Sequence, residues 1–94
     1  MKKTQVSLKF PAQFSKFIEH TNQLEFEGES VADFFTHLER TFGNIKERVL
    51  EGDGQVRPYI NIFIGKKNIK SLSGVDSIIP EGACVSLLLS RAGG

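Results

Sequence analysis

The sequence predicts an α+β domain, one sheet carrying one amphipathic helix on one face. Three observations lead there. Segments 5–10, 23–27, 59–64 and 83–89 divide their side chains between two faces with the period of two that marks half-buried strands. The stretch 31–42 repeats its apolar residues at helical spacing. Turn signals separate these segments, and no internal repeat, linker or low-complexity run interrupts them, so residues 1–94 form a single domain.

In QVSLKF (5–10), Val6, Leu8 and Phe10 alternate with Gln5, Ser7 and Lys9, and Pro11 ends the strand because it cannot donate to a ladder. Residues 12–22 form a connection that tucks Phe14, Phe17 and Ile18 beneath it, with room for one helical turn. QLEFE (23–27) turns Leu24 and Phe26 inward and completes an antiparallel hairpin with the first strand. Gly28-Glu29 is the turn, and Ser30 with Asp33 has the spacing of a helix N-cap and a weak capping box. Val31, Phe34, Phe35, Leu38 and Phe42 then share one helical stripe, and Gly43 stands where a left-handed C-terminal cap is expected. NIKERVLE (44–51) reads as a further short helical turn with Ile45, Val49 and Leu50 inward, followed by a GDG loop. In YINIFI (59–64), Ile60, Ile62 and Ile64 share one face and Tyr59, Asn61 and Phe63 the other. Gly65 and the lysines turn the chain, and Ile69 and Leu72 mark a short irregular strand. Pro80-Glu81-Gly82 is a turn, with Pro80 expected at its first central position. In the last strand, ACVSLLL, Val85, Leu87 and Leu89 oppose Cys84, Ser86 and Leu88.

Net charge is +1, so no electrostatic case exists for nucleic acid or a membrane surface as partner. Lys66, Lys67 and Lys70 form a local cluster that reads as a solvated loop. A single cysteine, Cys84, excludes an internal disulfide and a CxxC metal site and fits a reducing compartment. The opening MKKTQVSLKFPAQF is basic but lacks the apolar run of a signal peptide, and no stretch approaches the ~20 apolar residues of a membrane-spanning helix. A cytoplasmic protein is expected.

Converging catalytic chemistry is not found. His20 and His37 lack an acidic or nucleophilic partner at useful spacing, and Cys84 reads as a small packed residue. Glu51 and Asp53 lack the ligand count of a calcium loop, and Gly52-x-Gly54 does not continue as a nucleotide fingerprint because Arg57 stands where a third glycine belongs. No metal site is expected.

What remains is the tail, SRAGG. It offers no large apolar anchor, yet it follows one of the most apolar strands in the chain. A frayed terminus is the plain reading. The alternative is a thread of small cross-section: Ser90, Arg91, Ala92, Gly93 and Gly94, extended, reach roughly 17 Å. Such a thread could enter a partner's channel and present the Gly94 carboxylate unhindered by a Cβ.

The stretches ESVADFFTHLERTFGNIKERVLE, RPYINIFIGKKNIKSLSGVDSIIPEG and SRAGG together resemble the MoaD/ThiS-type ubiquitin-like sulfur carriers over most of the chain. Two stretches depart from the family's habits: Glu81-Gly82-Ala83-Cys84-Val85 lacks its usual acidic residue after the turn glycine, and Leu88-Leu89-Ser90-Arg91 replaces its proline-rich approach to the tail. The resemblance implies a ubiquitin-like β-grasp: a mixed sheet of four to five strands, first and last adjacent at its centre, with one main helix packed on one face. It implies a sulfur carrier that binds no cofactor itself. A ubiquitin-activating-type adenylating enzyme would use ATP and Mg²⁺ to activate the Gly94 carboxylate, and a sulfur donor protein would convert it to a thiocarboxylate. A downstream sulfur-accepting synthase, of which molybdopterin synthase is one kind, would consume that sulfur. The protein would be a co-substrate of those enzymes, with Ser90, Arg91, Ala92 and Gly93 threading into them. On the β-grasp order Phe63 and Leu88 fall on neighbouring strands, on the face opposite the helix, and together would form an apolar docking patch. A modifier joined to lysines of other proteins, and a plain interaction domain with an inert tail, remain as alternatives.

Overall fold

Alternation in the first segment becomes β1, Lys3–Lys9, with Thr4, Val6 and Leu8 buried and Lys3, Gln5 and Lys9 exposed. The structure, a computed structural model, describes residues 3–15, 18, 21–43 and 45–89. After Pro11 a single turn, α1 (Ala12–Ser15), carries Phe14 into the core, and Ile18 is buried beyond it. β2 (Gln23–Glu27) returns antiparallel to β1, pairing Val6 with Leu24 and Thr4 with Phe26.

Helix α2 (Val31–Phe42) begins at the capping box. Ser30 Oγ accepts from the Asp33 amide at 3.1 Å, and Asp33 Oδ2 accepts from the amides of Ser30 at 3.2 Å and Glu29 at 3.1 Å. The Val31 amide, another donor left over at the helix start, finds the Ser77 carbonyl at 3.0 Å. The Glu29 and Ser30 amides hold the Asp33 carboxyl below the ordinary aspartate value, with Ser30 Oγ adding to the effect against a small opposing cost of burial. At the other end Gly43 has φ 85° and ψ −135°, so it ends the helix with positive φ but outside the left-handed helical region expected for it. Its amide still reaches the Glu39 carbonyl at 2.9 Å.

α2 lays Val31, Phe34, Phe35 and Leu38 fully into the core, while Phe42, the last residue of the stripe, packs there only partly buried. Full burial contributes roughly 1.5–3 kcal/mol per large side chain. Phe34 meets Phe26 of β2 and Phe35 edge-to-face, at centroid distances of 5.5 and 5.2 Å. A short helix, α3 (Ile45–Val49), adds Ile45 and Val49 to the core, with Leu50 just beyond it. Arg57 tethers α3: its Nη2 donates to the Glu47 carbonyl at 2.8 Å and its amide to Val49 at 3.0 Å.

β3 (Ile60–Ile64) and β4 (Lys67–Asn68) form a tight hairpin through Gly65, whose φ is 63°. The irregular strand read at Ile69 and Leu72 is a 3-10 turn, Ile69–Ser71, capped by Asn68, whose side chain accepts from the Lys70 amide at 2.9 Å. Ile69 is fully buried but Leu72 is 44% exposed, because that turn swings it away from the sheet. At 80–83 the Pro80 carbonyl accepts from the Ala83 amide, so Pro80 opens the turn rather than occupying its first central position. Glu81 and Gly82 are the central residues, and Gly82 takes the φ of 80° that a β-carbon would oppose. β5 (Cys84–Leu89) then runs parallel to β1 and antiparallel to β3.

The described strands form one five-stranded mixed sheet in the order β2-β1-β5-β3-β4. Its inner face carries Val6, Leu8, Phe26, Ile60, Ile62, Val85 and Leu87 against α2 and α3. The other face carries no helix among the described residues. β1 and β5, the first and last of the described strands, sit side by side, each paired with a neighbour on both edges.

Candidate functional site

On the open face the register lines up side chains in rows. Lys9 of β1, Ser86 of β5, Phe63 of β3 and Asn68 of β4 lie across one row. Leu88 and Asn61 make the next, toward the end of β5. Ser7 and Cys84 make the row on the other side, with the Gly65 amide donating to the Cys84 carbonyl at 2.8 Å. Ser86 is small and sits between larger neighbours. The result is a shallow hollow of about 380 Å³ lined by Lys9, Phe63, Gly65, Lys66, Ser86 and Leu88.

Phe63 and Leu88 are thus brought to one hollow on the helix-free face. Leu88 is 53% exposed, far more than its strand neighbours Leu87 and Val85, and Phe63 is half-buried beside it. The Asn61 carbonyl oxygen accepts from the Asn68 amide nitrogen at 3.2 Å, which braces β3 against β4 next to Phe63. Ser90, Arg91, Ala92, Gly93 and Gly94 lie outside the described residues, and only their attachment is placed: they follow Leu89, which pairs with Ile60. Sequence reasoning did not assign Lys9, Ser86, Gly65 and Lys66 to the hollow. Lys9 falls on the outward parity of its strand, but its place beside Ser86 depends on the parallel β1–β5 register, for which the local sequence carries no signal.

Other candidates stay apart. His37 Nε2 lies 3.3 Å from Thr41 Oγ1, one turn along α2, and His20 lies outside the described residues. Cys84 Sγ is 3.7 Å from Ser86 Oγ. Asp53 Oδ1 is occupied with the Gln55 amide at 3.0 Å, which closes the GDG loop. Among the described residues no group of three or more His, Cys, Asp or Glu is placed to hold a metal ion, and no helix is long and apolar enough to cross a membrane.

Among the described residues, a mixed sheet with its first and last strands parallel and adjacent at the centre, and one main helix on one face, define a ubiquitin-like β-grasp domain. Solved structures agree: a chain of the Amycolatopsis orientalis BexX/CysO complex superposes with a TM-score of 0.81 at 19% identity, covering 95% of this chain and 99% of that one. No protein-family model matches the chain. Relatives in sequence include an Archaeoglobus fulgidus protein named "Putative sulfur carrier protein", 26% identical and matched over 95% of this chain and 98% of its own. Small archaeal modifier protein 3 of Haloferax volcanii is 29% identical over 69% of this chain and 70% of its own. Fold and relatives agree: the chain has the ubiquitin-like β-grasp fold and is similar in sequence to proteins named as a sulfur carrier and as a small archaeal modifier.

Proposed function

We propose that this chain is a sulfur carrier: a protein co-substrate whose C-terminal carboxylate is activated and loaded by partner enzymes. The observation that carries the reading is the likeness to the Archaeoglobus fulgidus protein over nearly the whole of both chains. The diglycine that follows the central strand supports it. In the proposed sequence a ubiquitin-activating-type enzyme binds ATP and Mg²⁺, the Gly94 carboxylate attacks the α-phosphorus, and pyrophosphate leaves. The terminal sulfur of a donor persulfide then attacks the acyl carbon and AMP departs. A second thiol cleaves the resulting S–S bond, becomes oxidised to a disulfide with the donor, and releases the thiocarboxylate. That group is more acidic than an alkyl thiol, so it is an anionic nucleophile at neutral pH. A downstream synthase takes the sulfur into its acceptor. The carrier binds no cofactor in this scheme, and the cytoplasm is its proposed location.

Intact-mass spectrometry of the protein isolated from its own cells tests this. A fraction carrying an oxygen-for-sulfur exchange localised to Gly94 is the expected result, and a chain found only as the carboxylate, with or without the adenylating enzyme, counts against it. The likeness to a small archaeal modifier protein favours a second role for the same activated end, transfer to lysines of other proteins. Branched diglycine-linked peptides on those proteins would reveal it.

A further inference from the structure

We draw no further inference here: the strongest candidate, the groove between the outer edge of β2 and helix α2, whose lining includes Lys3, Glu25, Glu27, Asp33, His37 and Arg40, mixes both signs of charge and so selects no one ligand, and nothing in the structure shows what covers it.

Discussion

Asp33 gives the start of α2 its definition, and it does so only because residue 28 has no side chain. A β-carbon placed on Gly28 would lie 2.5 Å from Asp33 Cβ and Oδ2, and the backbone there has φ 117°, which L side chains rarely adopt. The space lets the carboxylate fold back onto the Glu29 and Ser30 amides. These donors lower its pKa in the folded protein, so ionised Asp33 stabilises the fold. That contribution is complete above the pKa of the unfolded carboxyl, ~3.9, and is lost as pH falls through the lower folded value. Asp33 is exposed, so solvent screens the charge, and a few tenths to about 1 kcal/mol is the expected size. Asp33→Asn keeps an acceptor but not the charge. Urea denaturation should find it less stable than wild type at neutral pH, with the gap closing as pH falls through the lowered pKa of the folded carboxyl. A gap that is constant with pH would mean the charge contributes nothing.

At the scale of the element, the two sheet faces should differ sharply in what they tolerate. Phe34 is fully buried between Phe26 and Phe35, whereas Phe63 is half-buried on the face without a helix. Phe34→Ala should cost about 3–5 kcal/mol, a large part of a typical domain's 5–15 kcal/mol, and lower Tm by roughly 12 °C or more. Phe63→Ala should cost much less, and equal losses in paired thermal melts would mean that the faces are assigned wrongly. The face assignment was legible in the sequence because burial writes a period: 3.6 across Val31, Phe34, Phe35 and Leu38, and two across Val6 and Leu8 or Val85 and Leu87. Where no period exists the reading failed. Leu72 looked like strand because it is apolar, but the Asn68 cap bends the chain into a 3-10 turn first. Pro80 looked like the centre of its turn, yet the hydrogen bond from Ala83 makes it the opening residue. The parallel pairing of β1 with β5 joins strands far apart in sequence, and nothing local encodes it; the family resemblance supplied their adjacency, and the structure shows them parallel.

Over the whole molecule, Leu88, expected at the docking surface, and the proposed reactive end belong to one strand and its continuation. The apolar centre of the candidate site was legible from the parity of β3 and β5, which put Phe63 and Leu88 on one face; Lys9 and Lys66 at its edge depended on register and a turn. Leu88 stands one residue before the end of β5, and six residues of sequence follow it to Gly94. Extended, they span roughly 20–22 Å, so a partner that seats Leu88 can receive the carboxylate only within that radius. Docking would then act as a ruler, and tail length should matter to the chemistry rather than to the affinity. Inserting two glycines between Ser90 and Arg91 leaves the docking face untouched. It should leave affinity for the adenylating enzyme within about twofold while lowering kcat by about a hundredfold, the scale of loss that a small misplacement of reacting groups can bring. Loss of affinity alone would show that the tail itself does the docking. An unchanged kcat would show that the partner takes up the extra length, so that the spacing between Leu88 and Gly94 has no bearing on where the carboxylate is activated.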